Sequence, residues 1–269
     1  MVVEVGDIAN ALEKRASSHL AETWDNPGLQ VGSLSQKIQK ILFSLDASVQ
    51  ALQEATKIGA QLLLTHHPLI LAPLSCVISD RYPDMVLIEA VKRDISILSA
   101  HTNLDRARGG INDMLADLFG LSDVEVLEKS DKPHEEGIGL GRIGQLPKAQ
   151  KLSKFITKIK ADLALDSVAF VGSEQAEVRR VAVVGGSGGS LIALAKRSGA
   201  HVLVTGDLRH HEVLEAKHLG LAVIDAGHFH TERAGFQRFA AHFKEELMAM
   251  NLEVTLDINI GERDHIQRY

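Results

Sequence analysis

Three short stretches of this chain place histidine beside histidine, or histidine four residues before a carboxylate. They are Thr65-His66-His67-Pro68, His101-Thr102-Asn103-Leu104-Asp105 and His228-Phe229-His230-Thr231-Glu232. Neighbouring side chains on a straight strand point to opposite faces, so His66 and His67 share a site only if the backbone turns there, and Pro68 favours a turn. In the other two stretches the histidine and the acid share a face if a helix begins there. Taken singly, the histidine pair also fits a partly exposed loop. Each histidine-to-acid spacing also fits a helix start stabilised by an acidic residue. Three such clusters, each following an apolar run, point together to a metal site.

The donors are imidazoles and carboxylates. That set suits zinc, iron, manganese, cobalt or nickel, and leaves coordination positions open for water. The ligands read from these clusters are His66, His67, Asp105, His228 and Glu232. Five donors crowd one ion. A carboxylate has two oxygens and can bridge, whereas a neutral imidazole binds one ion through one nitrogen. Two divalent ions per subunit, sharing Asp105 and a solvent species, are therefore the expected cofactors.

These residues need strands that end at one place. Lys40 to Leu45 and Gln61 to Thr65 read as strands, with a helix from Val49 to Lys57 between them closed by Gly59. A helix over Met85–Arg93 leads to a strand at Ile95–Ser99. Asp7 reads as an N-cap ahead of Ile8, Leu12 and Ala16, and Asp25-Asn26-Pro27-Gly28 as a turn. The second half repeats the order: a strand at Val181–Val184, glycines at 185–189, a helix over Ser190–Arg197 ending at Gly199, then strands at His201–Val204 and Leu221–Ile224. Ala55, Gly59, Ala60, Leu63 and Thr65 match Ala195, Gly199, Ala200, Leu203 and Thr205 at a fixed offset. A helix is expected after Thr231, where Phe236, Phe239, Phe243 and Leu247 form an apolar stripe. Strand and helix alternate, so the expected class is α/β, with mixed and parallel sheets flanked by helices and two similar lobes from an internal duplication facing a central cleft. The polar stretch 130–137 marks the boundary. The first lobe takes residues 1–129 and 232–269 with most of the metal site, and the second takes residues 130–231.

Gly185 to Gly189 fits either a backbone cradle for phosphate or a tight strand-to-helix turn. It lacks the Lys-Ser/Thr ending of a nucleotide-triphosphate loop. Gly139 to Gly144 reads as strand or turn rather than a dinucleotide loop. Asp207, His210 and His211 sit at the position matching His66-His67, as groups behind the site, groups facing substrate, or a polar loop.

Composition narrows the classes. With 269 residues, 45% hydrophobic, the chain can bury a substantial core,. Its net charge of −6 gives no strong nucleic-acid signal,. The single cysteine, Cys76, rules out an intrachain disulfide and thiolate zinc sites,. No apolar run is long enough to span a bilayer and no signal peptide is visible, so a cytoplasmic protein is expected.

The motifs jointly resemble the NIF-three-like family, the GTP cyclohydrolase 1 type 2 homologues, in its short bacterial form. The match is carried, in the family's order and over nearly the whole chain, by Trp24-Asp25-Asn26-Pro27-Gly28-Leu29-Gln30-Val31-Gly32, Leu64 to Pro68, Ala100 to Asp105, Gly185-Gly186-Ser187-Gly188, Val204-Thr205-Gly206-Asp207 and Asp225 to Glu232. The resemblance implies a two-lobed subunit, a toroidal homohexamer and a dinuclear site whose ligands fall on His66, His67, Asp105, His228 and Glu232. It makes His101 a nearby site residue. The expected function is a metal-dependent hydrolase acting on a nucleotide-like or small polar substrate, with GTP cyclohydrolase-type activity as a special case and His101 as the catalytic residue that moves protons. The competing expectation is non-enzymatic: a metal-handling protein, a metallochaperone or an adaptor.

Overall fold

Short apolar runs alternating with helices give an α/β chain whose mixed sheets are flanked by helices,. The computed structural model describes residues 2–130 and 137–266. Most of the polar boundary expected at 130–137, namely residues 131–136, lies outside the described residues. The chain divides into two compact units, Met1–Leu104 with Gln237–Tyr269, and Asp105–Phe236.

The first unit opens with β1 (Val3–Glu4), α1 (Val5–Arg15), β2 (Gly28–Val31), β3 (Lys37–Ile38) and β4 (Lys40–Ser44). It continues through α2 (Val49–Ile58), β5 (Leu62–Thr65), α3 (Asp84–Lys92) and β6 (Ser96–Ser99). Asp7 is not the N-cap of α1. The helix starts two residues before it, and Asp7 accepts the Glu4 N–H at 2.9 Å from inside the first turn,. α4 (Thr102–Arg106) crosses into the second unit, which holds α5 (Ile111–Leu118), β7 (Ser122–Lys129), β8 (Gly139–Lys151), α6 (Leu152–Asp162), β9 (Ala169–Val171), β10 (Glu177–Ser187), α7 (Ile192–Arg197), β11 (Val202–Gly206), α8 (His210–Leu219) and β12 (Ala222–Asp225). α9 (His228–Ala249) then returns to the first unit, which β13 (Thr255–Ile258) completes.

The sheet of the first unit runs β13-β4-β5-β6-β2. Its first four strands are parallel and β2 is antiparallel to β6. Strands buried on both faces carry unbroken apolar runs, as Ile41-Leu42-Phe43 and Leu62-Leu63-Leu64 do here. One face packs Leu42, Leu63 and Ile97 against Ala51, Leu52 and Ala55 of α2. On α9, Phe239 and Phe243 are stacked at 5.4 Å, and Phe243 lies 6.3 Å from Phe43 of β4.

The sheet of the second unit runs β7-β8-β10-β11-β12-β9, with only β10, β11 and β12 parallel. Gly139 to Gly144 falls inside β8. There Arg142 is fully buried, its guanidinium donating to both oxygens of Asp113 and to the carbonyls of Ala107, Gly139 and Gly141. The paired positions found in sequence do the same local work in each unit. Gly59 and Gly199 take left-handed φ values of 71° and 80° just past a helix, and Thr65 and Thr205 are buried at or next to the end of a strand. No described helix is long and apolar enough to cross a membrane.

Candidate metal centre

In the first unit the donors come from the loops that leave β5 and β6, at the carboxyl ends of parallel strands,. The turn expected at Pro68 begins one residue earlier. The N–H groups of His66 and His67 both donate to Leu45 O, at 3.2 and 3.0 Å. Two consecutive amides on one carbonyl cannot continue a ladder, so strand alternation stops there. The Thr65 hydroxyl donates to His67 O at 2.9 Å and pins the turn. As a result the two rings lie 5.1 Å apart, and His101 joins them at 5.2 and 5.5 Å. One ligand-capable atom from each of His66, His67 and His101 lies within 4.8 Å of the others.

Each of these rings is held from behind. Nδ1 of His66, which is fully buried, lies 2.8 Å from Ala100 O. Nδ1 of His67 is 2.7 Å from Asp46 Oδ1, and Nδ1 of His101 is 2.8 Å from Asp25 Oδ1. A carbonyl or a carboxylate only accepts, so Nδ1 carries the proton in all three rings, and in the neutral ring Nε2 keeps the lone pair. Asp25 is itself fixed, accepting from the backbone N–H of Asn26 and from the N–H and hydroxyl of Thr102. Burial pushes the Asp25 carboxyl up, but the bonds from His101 and Thr102 outweigh it and hold the pKa at about 2,. Trp24, next to Asp25, is 57% exposed and stands edge-on to His101 at 5.8 Å.

In the second unit α9 starts at His228, not after Thr231, which puts His228 and Glu232 on its first turns. His228 Nε2 is 2.9 Å from Glu232 Oε2. Its Nδ1 is 2.7 Å from Asp207 Oδ2, the same arrangement as in the other three histidines. Asp207 reaches it from a left-handed backbone, φ 55°. Burial lowers the His228 pKa, but Glu232 and Asp207 outweigh it and raise the pKa to about 9,.

The first two amides of the glycine run are already engaged within the fold. The Gly185 N–H goes to Asn112 Oδ1 at 2.9 Å and the Gly186 N–H to Thr231 Oγ1 at 3.0 Å. Carboxylates also lie against the run: a Cβ on Gly186 would fall 2.1 Å from Glu232 Oε1, and one on Gly189 would strike Glu212. What the glycines provide is room for the start of α9, and Gly206 does the same, since a Cβ there would fall 2.3 Å from His228 N,. Asn112 also donates to Asp105 O at 2.9 Å, so one buried amide ties the Asp105 backbone to β10. Asp105 itself is buried on α4. His210 and His211 are exposed on the first turn of α8.

The donor groups of each unit fit a divalent ion. His66, His67 and His101 are fixed through Nδ1 in the first unit, His228 is fixed likewise beside Glu232 in the second, and metal-binding histidines characteristically show such backing on the second nitrogen. The sequence pointed to these candidate donors. It showed Asp25 only within a turn and a family motif, and gave no sign of Asp46 or Asn112, because these partners lie far from the motifs they serve.

A family model described as Duf34/NIF3 (NGG1p interacting factor 3) matches residues 3–259. The GTP cyclohydrolase 1 type 2 homolog of Clostridium perfringens is 35% identical over 245 residues, covering 91% of this chain and 93% of its own. Among solved structures, a Bacillus cereus protein related to NIF3 superposes with a TM-score of 0.92 at 26% identity over 100% of both chains. Reduced HcgD from Methanocaldococcus jannaschii gives a TM-score of 0.79 at 32% identity, covering 96% of this chain and 98% of that one.

Proposed function

This chain belongs to the Duf34/NIF3 family, and from that premise we propose that it is a dinuclear divalent-metal protein that hydrolyses a nucleotide-like or other small polar substrate. The observation that carries the reading is the shared backing of four histidines, each donating from Nδ1 to a fixed acceptor. The ligands we assign are His66, His67, Asp105, His228 and Glu232, on the motif resemblance and on the donor groups of each unit. Divalent ions there would supply Lewis acidity and acidify a water molecule. Asp105 offers two oxygens for bridging, the backing of His66 and His67 keeps the lone pair of each neutral ring aimed, and His228 would first give up the proton that it shares with Glu232,. His101, oriented by Asp25, is assigned the proton-moving role,. The exposed face of Trp24 beside His101 favours a planar, nucleobase-like group in the substrate,. The name of the Clostridium relative makes GTP the first substrate to try. A toroidal homohexamer is part of the proposal and rests on the resemblance alone.

The test is elemental analysis of the purified protein, followed by a turnover screen of the metal-loaded form against GTP, other nucleotides, phosphoesters and amides. Up to two metal equivalents per chain are expected, with loss of binding when His66, His67 and His228 are replaced together by alanine. Asp105→Asn should keep one ion weakly or none. Full metal content in the triple variant defeats the site. Metal without turnover, joined to transfer of the ion to an apo-acceptor, defeats the enzymatic reading in favour of metal handling.

A further inference from the structure

The chain that follows β13 braces the far side of the histidine turn. Asn259 is buried and its Nδ2 donates to Ser44 Oγ at 3.1 Å. Three residues on, Glu262 receives three bonds from the end of β4. Its Oε1 accepts from Ser44 Oγ at 2.5 Å and from Asp46 N at 3.1 Å, and its Oε2 accepts from Leu45 N at 2.9 Å. Two of the three residues held this way serve the donor cluster. Leu45 O receives both amides of the histidine turn, and Asp46 Oδ1 receives His67 Nδ1.

We propose that Glu262 is a positioning residue for the metal centre: its carboxylate locks the Ser44–Asp46 turn, and through Asp46 it sets the ring orientation and the Nδ1–H tautomer of His67. This rests on the metal reading above. The chemistry calls for a carboxylate. Two backbone N–H groups and a hydroxyl converge on Glu262, and an anion can accept all three with no proton of its own in the way. An amide in its place would turn N–H toward N–H at one of them. With the turn loosened, Asp46 no longer arrives on a fixed backbone, and the imidazole it backs loses its set direction. Partners behind a metal ligand are typically worth about 10–100-fold in metal affinity.

The experiment compares full-length parent, Glu262→Gln, Glu262→Asp, Asp46→Asn and the Asp46→Asn/Glu262→Gln double variant. Zinc affinity is measured by chelator competition, the cobalt-loaded absorption spectrum is recorded, and His67 ring nitrogens are followed by 15N NMR in metal-free protein. Glu262→Gln should weaken zinc binding about tenfold, change the cobalt spectrum and turn the His67 signals from the Nδ1–H pattern into a tautomer mixture. The double variant should bind no more weakly than Asp46→Asn, because both changes break one chain of contacts. If Glu262→Gln does not fold, Glu262→Asp, which keeps the charge on a shorter arm, carries the same comparison. Parental zinc affinity and parental His67 signals in a variant that merely melts earlier would reduce Glu262 to a structural contact and overturn the proposal, as would losses that multiply in the double variant. A parent that takes up no metal defeats the metal reading instead, and the His67 signals then decide this one.

Discussion

At the scale of single residues, the histidines act through the group behind each ring. Asp207 backs His228, and Asp207→Asn keeps the shape while removing the charge. We expect it to lower metal affinity about 10–100-fold, measured by chelator competition. His228 also sets a pH dependence. Its folded pKa of about 9 lies above the ordinary 6.5, so the pair with Glu232 and Asp207 stabilises metal-free protein fully below about 6.5 and ceases to do so as pH rises through about 9,. Denaturant midpoints should fall across that window in the parent and stay flatter in Glu232→Gln. The same proton must leave when an ion takes Nε2, so metal uptake at neutral pH should release it, read as a buffer-dependent binding heat. Asp25 has the opposite sign. Its folded pKa of about 2 lies below the ordinary 3.8, so its contribution is present above 3.8 and lost as pH falls through about 2,. The candidate donors were legible in the sequence because they sit in contiguous motifs. Their partners were not, since Asp46 reaches His67 only once β4 and β5 lie side by side, and Asp25 reaches His101 only once β2 lies beside β6.

At the scale of elements, the strands and helices of the parallel units were legible from apolar runs and glycine stops: α2 with Gly59, β5, β6, β11 and β12 fall within a residue or two of their expected places. Starts were harder to read. α9 begins one turn early because its entry is set by Gly206 and Gly186, which leave space that no hydrophobic period reveals. Two glycines of similar φ therefore make a sharp comparison. Gly186→Ala, at φ 65° with Glu232 in the path of its Cβ, should cost about 1–3 kcal/mol and displace Glu232, so metal content falls,. Gly59→Ala, at φ 71° with open space around it, should cost about 1 kcal/mol and leave metal content alone,. Equal metal loss in both would show that the glycine run does not shape the site. Gly185 to Gly189 looked equally like a phosphate loop, because sequence shows the glycines and not the carboxylates packed over them.

At the scale of the whole molecule, ions bound by the folded chain alone add stability by mass action, about 4 kcal/mol at a thousandfold excess over the dissociation constant. Chelation should therefore lower the unfolding temperature of the parent and move that of the His66/His67/His228 triple alanine variant far less. Light scattering should find a closed ring rather than a monomer at micromolar concentration. One more consequence follows from the return of the chain through α9 to β13. The first unit is closed by the residues made after the second unit has been completed. A nascent chain displays His66, His67 and His101 while the strand that flanks β4, and the carboxylate that steadies Asp46, are still unmade. During synthesis the histidines are thus present long before the contacts that hold their turn, so the order of translation itself leaves that turn unfinished until β13 and Glu262 have emerged,.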